Sequence, residues 1–264
     1  MNGGFMTNSP ALLVVGHPGH ELMVHGWLED AKPLVVVLTD GSGQAGVSRL
    51  PSTAALVSRA GAMAGPIFGR FTDAEIYRAL LNQELSVFTD LVTDLAGIIV
   101  DRQIALVAGD DAEGFNPTHD VCRLIIDAAV RAARVRAGRP VMNVAFKLIE
   151  SSEDLSRSRN ASSTILNLSN AALERKMRAA FNYPEMAAEV AAARTRLGDD
   201  AFRKETFRQV RDGEVWAPAD QPPYYERHGR KRVDEGAYPE VIYYEQHIRP
   251  LADLLHARSL REAS

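Results

Sequence analysis

The sequence predicts an α/β protein whose mostly parallel, doubly wound sheet is covered by helices on both faces. Two observations support this fold class. Short, continuous apolar runs alternate with amphipathic stretches of helical length, as expected for buried parallel strands joined by crossover helices. The pattern then changes near residue 150 and becomes helical and loop-rich. We therefore predict a core at residues 1–150 and an extension at residues 151–264 that packs on it, together forming one continuous domain.

The elements of the core follow from this alternation. Four apolar runs are predicted strands, at residues 11–16, 34–38, 104–108 and 141–149. Predicted helices occupy residues 20–30, 51–63, 73–95 and 119–137. Thr72 is the expected N-cap of the third helix, because Glu75 stands at the position that completes a capping box. The strand–helix–strand spacing requires crossover connections and hence parallel strand pairs.

The C-terminal third gives weaker signals. Residues 151–163 are predicted to form a surface connection, 241–244 a short strand, and 170–196, 202–210 and 246–257 helices, the first of these broken at Tyr183-Pro184. Residues 216–236 read as a long irregular loop rich in proline, tyrosine and basic side chains. Loops of that length inside compact chains are often functional lids. Tyr224, Tyr225 and Arg227 are therefore candidate substrate contacts.

Composition excludes several classes of function. The 264 residues carry a formal net charge of −4, which gives no reason to expect a nucleic acid or an anionic membrane as partner. The apolar run near the N-terminus is too short for a signal peptide or a membrane span. The only cysteine is Cys122, which is predicted to be a buried core residue. We expect a soluble cytoplasmic protein that acts on a small molecule, with a homo-oligomer left open.

Three histidines stand out by their placement. His17 and His20 share a turn directly after the first predicted strand, and His119 follows the third strand. Open α/β sheets bind ligands at the carboxyl ends of their strands, and histidine is a common zinc ligand. One histidine alone would be read as structural, as we read His25. Three such placements together favour a metal site.

Around these histidines the sequence resembles the PIG-L/LmbE-like family of zinc-dependent N-deacetylases. The family's first motif, His-Pro-Asp-Asp-Glu, stands here as His-Pro-Gly-His-Glu at residues 17–21. Its Thr-Asp-Gly motif matches residues 39–41, and its His-Pro-Asp-His motif stands as Asn-Pro-Thr-His at residues 116–119. The resemblance covers residues 11–149 and implies a Rossmann-like fold. It also implies a zinc-dependent hydrolase that cleaves an N-acyl group from an amino sugar or a related small molecule.

The departures from the family pattern concern the chemistry. His17 and His119 match metal-ligand positions, and His20 stands where the family has a ligand aspartate. Gly19 stands where the family has its general base, and Asn116 replaces a histidine that stabilises the oxyanion. A carboxylate restored by Gly19→Asp would be expected to lie near the ion and to raise deacetylase activity.

Three neutral ligands leave the full double charge on the metal, so a water molecule could be activated without the family's base. Zinc is expected, although histidine-only sites also suit iron, nickel or copper. The candidates to replace the lost base are Glu21, Asp40, Asp110 and Asp111, with Asn116 on the oxyanion side. Two alternatives remain open: an altered, biosynthetic metalloenzyme of the same fold, or a degenerate relative that binds a ligand without turnover.

Overall fold

The computed structural model describes residues 9–148, 163–214, 217–218 and 221–262. Within them, seven strands form one sheet: β1 (Ala11–Val15), β2 (Leu34–Thr39), β3 (Met63–Phe71), β4 (Leu106–Asp110), β5 (Met142–Phe146), β6 (Ser163–Asn167) and β7 (Lys204–Gln209). Their order across the sheet is β3-β2-β1-β4-β5-β7-β6. The first five strands are parallel, β7 is antiparallel to β5, and β6 is antiparallel to β7. The predicted doubly wound, mostly parallel sheet is confirmed.

Helices cover both faces of this sheet. The α-helices of the described residues are α1 (His25–Ala31), α2 (Leu50–Arg59), α3 (Asp73–Leu81), α4 (Leu85–Asp101), α5 (Pro117–Ala137), α6 (Asn170–Phe181), α7 (Ala187–Leu197), α8 (Tyr224–Asp234) and α9 (Arg249–Glu262). Leu12 and Val14 of β1 pack into the core with α3, α4, α5 and α9. Leu13 and Val15 pack into the opposite core, with α1, α2 and α6. Because β1 is buried on both faces, its sequence is continuously apolar.

Local signals set the ends of the helices that matter for the site. Thr72 accepts a hydrogen bond from the Glu75 amide and Glu75 bonds back to the Thr72 amide, so the predicted capping box is confirmed. Asn116 caps α5 through its side chain, Pro117 occupies the first turn, and Gly138 ends the helix with a left-handed backbone. These are favoured residues at those three positions.

The strand order creates a crevice at one edge of the sheet. β1 pairs with β2 on one side and with β4 on the other, so the connections leaving β1 and β4 diverge to opposite faces. Doubly wound sheets bind ligands where this reversal occurs, at the carboxyl ends of the strands. The turn that follows β1 and the loop that follows β4 both lie at this point.

Two predictions in the N-terminal half are wrong in detail. The helix predicted at 73–95 is two helices, α3 and α4, separated where Gln83 takes a positive φ of 53°. No glycine or proline marks this break. The helix predicted at 51–63 ends at Arg59, and Met63 begins β3. β3 is an edge strand in which Ile67 is the one buried residue, so it lacks the continuous burial of the central strands.

Three predictions in the C-terminal third are also wrong. Residues 202–210, predicted helical, contain β7, in which Glu205 and Phe207 point inward and alternate with more exposed residues. The loop predicted at 216–236 contains α8. Residues 241–244 are not a strand, and a π-helical turn, Tyr244–Ile248, precedes α9.

Residues 151–162 of the predicted connection at 151–163 lie outside the described residues, as does Trp216, and Ser163 begins β6. Within the described part of the chain, none of the helices has the length and hydropathy needed to cross a bilayer.

Candidate functional site

Three imidazole rings meet at the crevice between β1 and β4. His17 and His20 lie in the turn after β1, and His119 lies in the first turn of α5. The ring centre of His17 lies 5.3 Å from the ring centre of His20 and 5.2 Å from that of His119. The ring centres of His20 and His119 are 4.6 Å apart. Histidines that share one tetrahedral zinc, at about 2.0–2.1 Å from each nitrogen, have ring centres roughly 5 Å apart.

The rings are close, but their donor atoms are not yet arranged around a common point. Among the described residues, no group of three or more histidine, cysteine, aspartate or glutamate side chains is placed to hold an ion as it stands. The spacing of the ring centres is therefore compatible with a shared ion, whereas the described side chains do not form a complete coordination set as they stand.

A carboxylate holds the His17 ring. Nδ1 of His17 lies 2.9 Å from Oδ1 of Asp73 and 2.8 Å from the Thr39 hydroxyl. Because an ionised carboxylate only accepts hydrogen bonds, Nδ1 carries the proton. Burial opposes ionisation of Asp73, but hydrogen bonds from His17 and Thr39 hold the pKa of this carboxyl well below its usual range. The other ring nitrogen of His17, Nε2, is buried without a hydrogen-bond partner.

A second carboxylate holds the His20 ring. Oδ2 of Asp110, the last residue of β4, lies 2.8 Å from Nδ1 of His20 and accepts a hydrogen bond from the Gly16 amide at 2.8 Å. Asp110 is fully buried, and its Oδ1 has no hydrogen-bond partner. With Nδ1 donating to the carboxylate, Nε2 of His20 is the nitrogen left to bind a ligand.

His119 completes the cluster as a neutral ring. Burial, followed by the neighbouring His20 and His17, lowers the pKa of His119 well below its ordinary value. Its Nδ1 is buried with no hydrogen-bond partner. Buried polar atoms are nearly always satisfied, so unpartnered nitrogens on both His17 and His119 fit a site that takes a further partner. Neutral imidazole donors suit zinc and neighbouring transition metals.

Glu21, one of the predicted base candidates, supports the backbone of the turn. It is fully buried, accepts the Gly19 amide at 2.8 Å and accepts the Thr53 hydroxyl at 2.7 Å. Burial raises the pKa of Glu21, and the hydrogen bonds from Thr53 and Gly19 oppose that rise. Both carboxylate oxygens are therefore engaged away from the histidine rings.

The other candidates are placed differently from Asp110. Asp40 accepts hydrogen bonds from the amide and hydroxyl of Ser42. Asn116 accepts from the Thr118 amide as the cap of α5. Asp111 forms a bidentate ion pair with Arg208 of β7. Nη2 of Arg208 lies 2.7 Å from Oδ1 of Asp111, and Nε lies 3.1 Å from Oδ2. Of the five candidates, Asp110 is the one whose carboxylate bonds a histidine ring.

Gly19 has a backbone that the sequence alone does not reveal. Its φ is 104° and its ψ is −22°, a conformation that disfavours residues with a side chain. A Cβ at this position would meet Cγ and Sδ of Met186 at 3.4 Å and the Tyr183 hydroxyl at 3.8 Å. A side chain introduced here would therefore start beside Met186 in a strained backbone, which argues against a simple gain from Gly19→Asp.

The three predicted substrate residues differ in exposure: Tyr224 and Arg227 are at the surface, and Tyr225 is buried. Tyr224, 43% exposed, stacks on Phe115 with ring centres 4.8 Å apart and an interplanar angle of 4°. Phe115 lies four residues before His119, which brings Tyr224 beside the loop that leads to the histidines. Tyr225 is instead a core residue whose ring packs with the helices on one face of the sheet. Arg227 is exposed on α8.

Sequence reasoning missed Asp73, Phe115, Thr53 and Tyr183. Asp73 follows β3, and because that strand was not predicted, nothing placed Asp73 at the carboxyl edge of the sheet. The capping box at Thr72 was the available signal, since it fixed the start of a helix. Thr53 and Tyr183 meet across 130 residues of sequence, so no local pattern could pair them.

Comparisons with known proteins bear on the fold. No protein-family profile and no curated protein matches the chain. A deacetylase of the teicoplanin biosynthetic pathway, crystallised as a triple mutant, aligns with a TM-score of 0.53 and 16% identity over 78% of this chain and 100% of its own. The A40926 pseudoaglycone deacetylase aligns with a TM-score of 0.53 and 20% identity, over 80% of this chain and 99% of its own.

This chain has the fold of these deacetylases. A third structure, the zinc-inhibited form of teicoplanin deacetylase, aligns with a TM-score of 0.50 and 15% identity over 77% of this chain and 99% of its own. At these identities the likeness establishes a shared fold and does not establish a shared activity, because one fold hosts many activities.

Proposed function

We propose that the chain is a metal-dependent hydrolase that removes an N-acyl group from an amino sugar or a related small amine. The observation that carries this proposal is the cluster of His17, His20 and His119 at the carboxyl edge of the sheet. Two of these rings are anchored by carboxylates, one half-buried and one fully buried. The shared fold with solved deacetylases supports the reaction class.

His17, His20 and His119 are the residues that would hold the ion. A divalent ion supplies a Lewis acid that polarises the amide carbonyl and makes a water molecule more acidic. Zinc is our first expectation, and because one structural neighbour was crystallised in a zinc-inhibited form, the metal must be identified by measurement.

Two carboxylates prepare the rings for this role. Asp73 accepts a hydrogen bond from Nδ1 of His17, and Asp110 accepts one from Nδ1 of His20. These bonds fix the tautomer and the orientation of each ring. Oδ2 of Asp110 is engaged, whereas its Oδ1 is buried and has no hydrogen-bond partner. We therefore assign Asp110 two tasks, to position His20 and to move a proton at the reacting amide through Oδ1.

The substrate is proposed to enter beside α8. Tyr224 and Phe115 form a stacked, half-exposed aromatic pair next to the N-terminus of α5. Such a pair offers a flat apolar surface to the face of a sugar ring. Arg227, exposed one turn further along α8, adds a positive charge that would favour an anionic substrate.

Metal content and amine release test the proposal. Protein purified without added metal should contain one divalent ion per chain by elemental analysis. His17→Ala, His20→Ala and His119→Ala should each lower occupancy, whereas His256→Ala on α9 should not. Amine release from N-acetylglucosamine derivatives, measured with the native metal supplied, tests the reaction. Full occupancy and affinity in His20→Ala would show that the three-histidine site is wrong.

Gly19 and Met186 favour a second candidate function. With no carboxylate at position 19 and a methionine against it, the chain lacks a base at the position where the resembled family has one. An altered metalloenzyme would bind the ion and release no amine from any amide tested. A chain that binds no ion at all would instead be a degenerate relative that binds a ligand without turnover.

A further inference from the structure

A buried chain of hydrogen bonds leads from the C-terminal region to the turn at residues 17–20, the turn that carries His17 and His20. The hydroxyls of Tyr183 and Thr53 lie 2.9 Å apart, Thr53 donates to Glu21 at 2.7 Å, and Glu21 accepts the Gly19 amide at 2.8 Å. Tyr183 is 1% exposed, and Thr53 and Glu21 are fully buried. We call these four residues the relay.

The direction of the hydrogen bonds is determined by the donors available. The Thr53 hydroxyl has one proton and donates it to Glu21, so the Tyr183 hydroxyl is the donor in the 2.9 Å bond to Thr53. The Arg49 carbonyl oxygen, at 3.4 Å, is a longer second acceptor for the same Tyr183 hydroxyl. Each member then satisfies the next, and both carboxylate oxygens of Glu21 accept a hydrogen bond. Networks of this kind are rigid when complete and costly when one member is missing, because the remaining buried groups have no water to bond.

The relay ends at the most unusual backbone of the site. Gly19 takes a φ of 104° between the two histidines of the turn, and its amide is held by Glu21. Met186, three residues after Tyr183, lies 3.4 Å from where a Gly19 Cβ would be. The segment after α6 therefore contacts the turn twice, by hydrogen bonding through the relay and by packing.

We infer that Tyr183, acting through Thr53 and Glu21, is a positioning residue for the turn that carries His17 and His20. This inference rests on the proposed metal site, because the consequence of positioning is metal affinity. It assigns to the C-terminal region a part in a site whose three histidines all come from the first 119 residues. Tyr183 touches neither the ion nor the substrate.

The test removes single hydroxyl groups. Tyr183→Phe and Thr53→Val should each weaken metal binding by about 10-fold or more, as loss of outer-shell partners does. Thr53→Ser keeps the hydroxyl and should bind metal like the native protein. Thr93→Val is the matched control, because Thr93 is a hydrogen-bonded hydroxyl on α4 remote from the turn. Affinities are measured by competition with a chromophoric chelator, using the metal found in the native protein.

A second readout needs no metal. In metal-free protein, hydrogen exchange of the peptide covering residues 17–21 should be faster in Tyr183→Phe and Thr53→Val than in Thr53→Ser. If the native protein binds no ion but this exchange difference is present, the proposed function fails and the relay stands. If affinity and exchange match the native protein in both variants, or if Thr53→Ser behaves like Thr53→Val, the relay is overturned. Should Tyr183→Phe not fold, the Thr53 pair decides.

Discussion

One oxygen of Asp110 joins the ends of two adjacent strands: Oδ2 lies 2.8 Å from Nδ1 of His20 and 2.8 Å from the Gly16 amide. Gly16 follows β1 and Asp110 ends β4, so the bond spans the point where the sheet reverses its strand order. A histidine at position 20 needs its second nitrogen held before it can serve as a ligand. Asp110 supplies that acceptor from a fully buried position.

Asp110→Asn should therefore weaken metal binding by about 10–100-fold. The amide oxygen can still accept from Gly16, so the fold should survive, but the negative charge that orients His20 is lost. At saturating metal, amine release should also remain low, because an asparagine side chain cannot move a proton at the reacting amide as the carboxylate is proposed to do. Asp40→Asn is the control, since the Asp40 carboxylate accepts hydrogen bonds from the amide and hydroxyl of the neighbouring Ser42 and from no histidine of the described residues. Equal losses in both variants would contradict the role given to Asp110.

Asp111→Asn should reduce stability and leave metal binding unchanged. Asp111 is buried and makes a two-pronged ion pair with Arg208, which is partly exposed. Removing one partner of a buried pair is strongly destabilising, and partial exposure reduces the loss, to about 2 kcal/mol. Urea unfolding and chelator competition measure the two effects. A folded, metal-bound Asp111→Asn protein without activity would show that Asp111, and not Asp110, is the catalytic carboxylate.

The sequence predicts well those strands that are buried on both faces of the sheet. β1 is apolar throughout, and β2, β4 and β5 are apolar except for Thr39, Asp110 and Asn143, because helices cover both of their faces. The edge strand β3 has no such pattern, since most of its residues are exposed or half-exposed.

β7 was misread for a different reason. Its buried position 205 is a glutamate, which is satisfied by Lys176 and by the amides of Gly26 and Trp27. These partners lie far away in sequence, so local hydrophobicity could not reveal that the strand is buried.

The same distinction holds for the site. The three histidines could be predicted because each follows a strand, and the carboxyl ends of parallel strands meet. The place of Asp73 in the site could not be predicted, because the strand that precedes it, β3, was not predicted. The φ of Gly19 and its contact with Met186 depend on how a distant segment packs, and no motif encodes that contact.

Tyr224→Ala and Phe115→Ala should raise the KM for an N-acetyl amino sugar and leave kcat nearly unchanged. Both rings are about two-fifths exposed and stack on one another at the rim, so they would bind substrate and transition state alike. Phe181→Ala is the matched control, because Phe181 is a similarly exposed aromatic residue on α6. A fall in kcat with unchanged KM in Tyr224→Ala would contradict a binding role for the rim.

Gly19→Asp should destabilise the protein without restoring deacetylase activity. A side chain in the left-handed region costs roughly 1–2 kcal/mol. The Cβ of the new side chain would lie 3.4 Å from Met186, and its charge would lie near the buried Glu21. Gly19→Ala carries the same backbone strain without the charge and should lose similar stability.

Replacing Met186 with alanine should give the carboxylate of the Gly19→Asp variant room to rotate towards the histidine cluster. We expect Gly19→Asp/Met186→Ala to release amine faster than Gly19→Asp or Met186→Ala alone, by up to the ~10²-fold that a positioned base supplies. Unfolding midpoints and amine release from N-acetylglucosamine derivatives are measured for all four variants with metal supplied. A rise in amine release from Gly19→Asp alone, at undiminished stability, would show that position 19 already points at the reacting amide and that Met186 does not obstruct it.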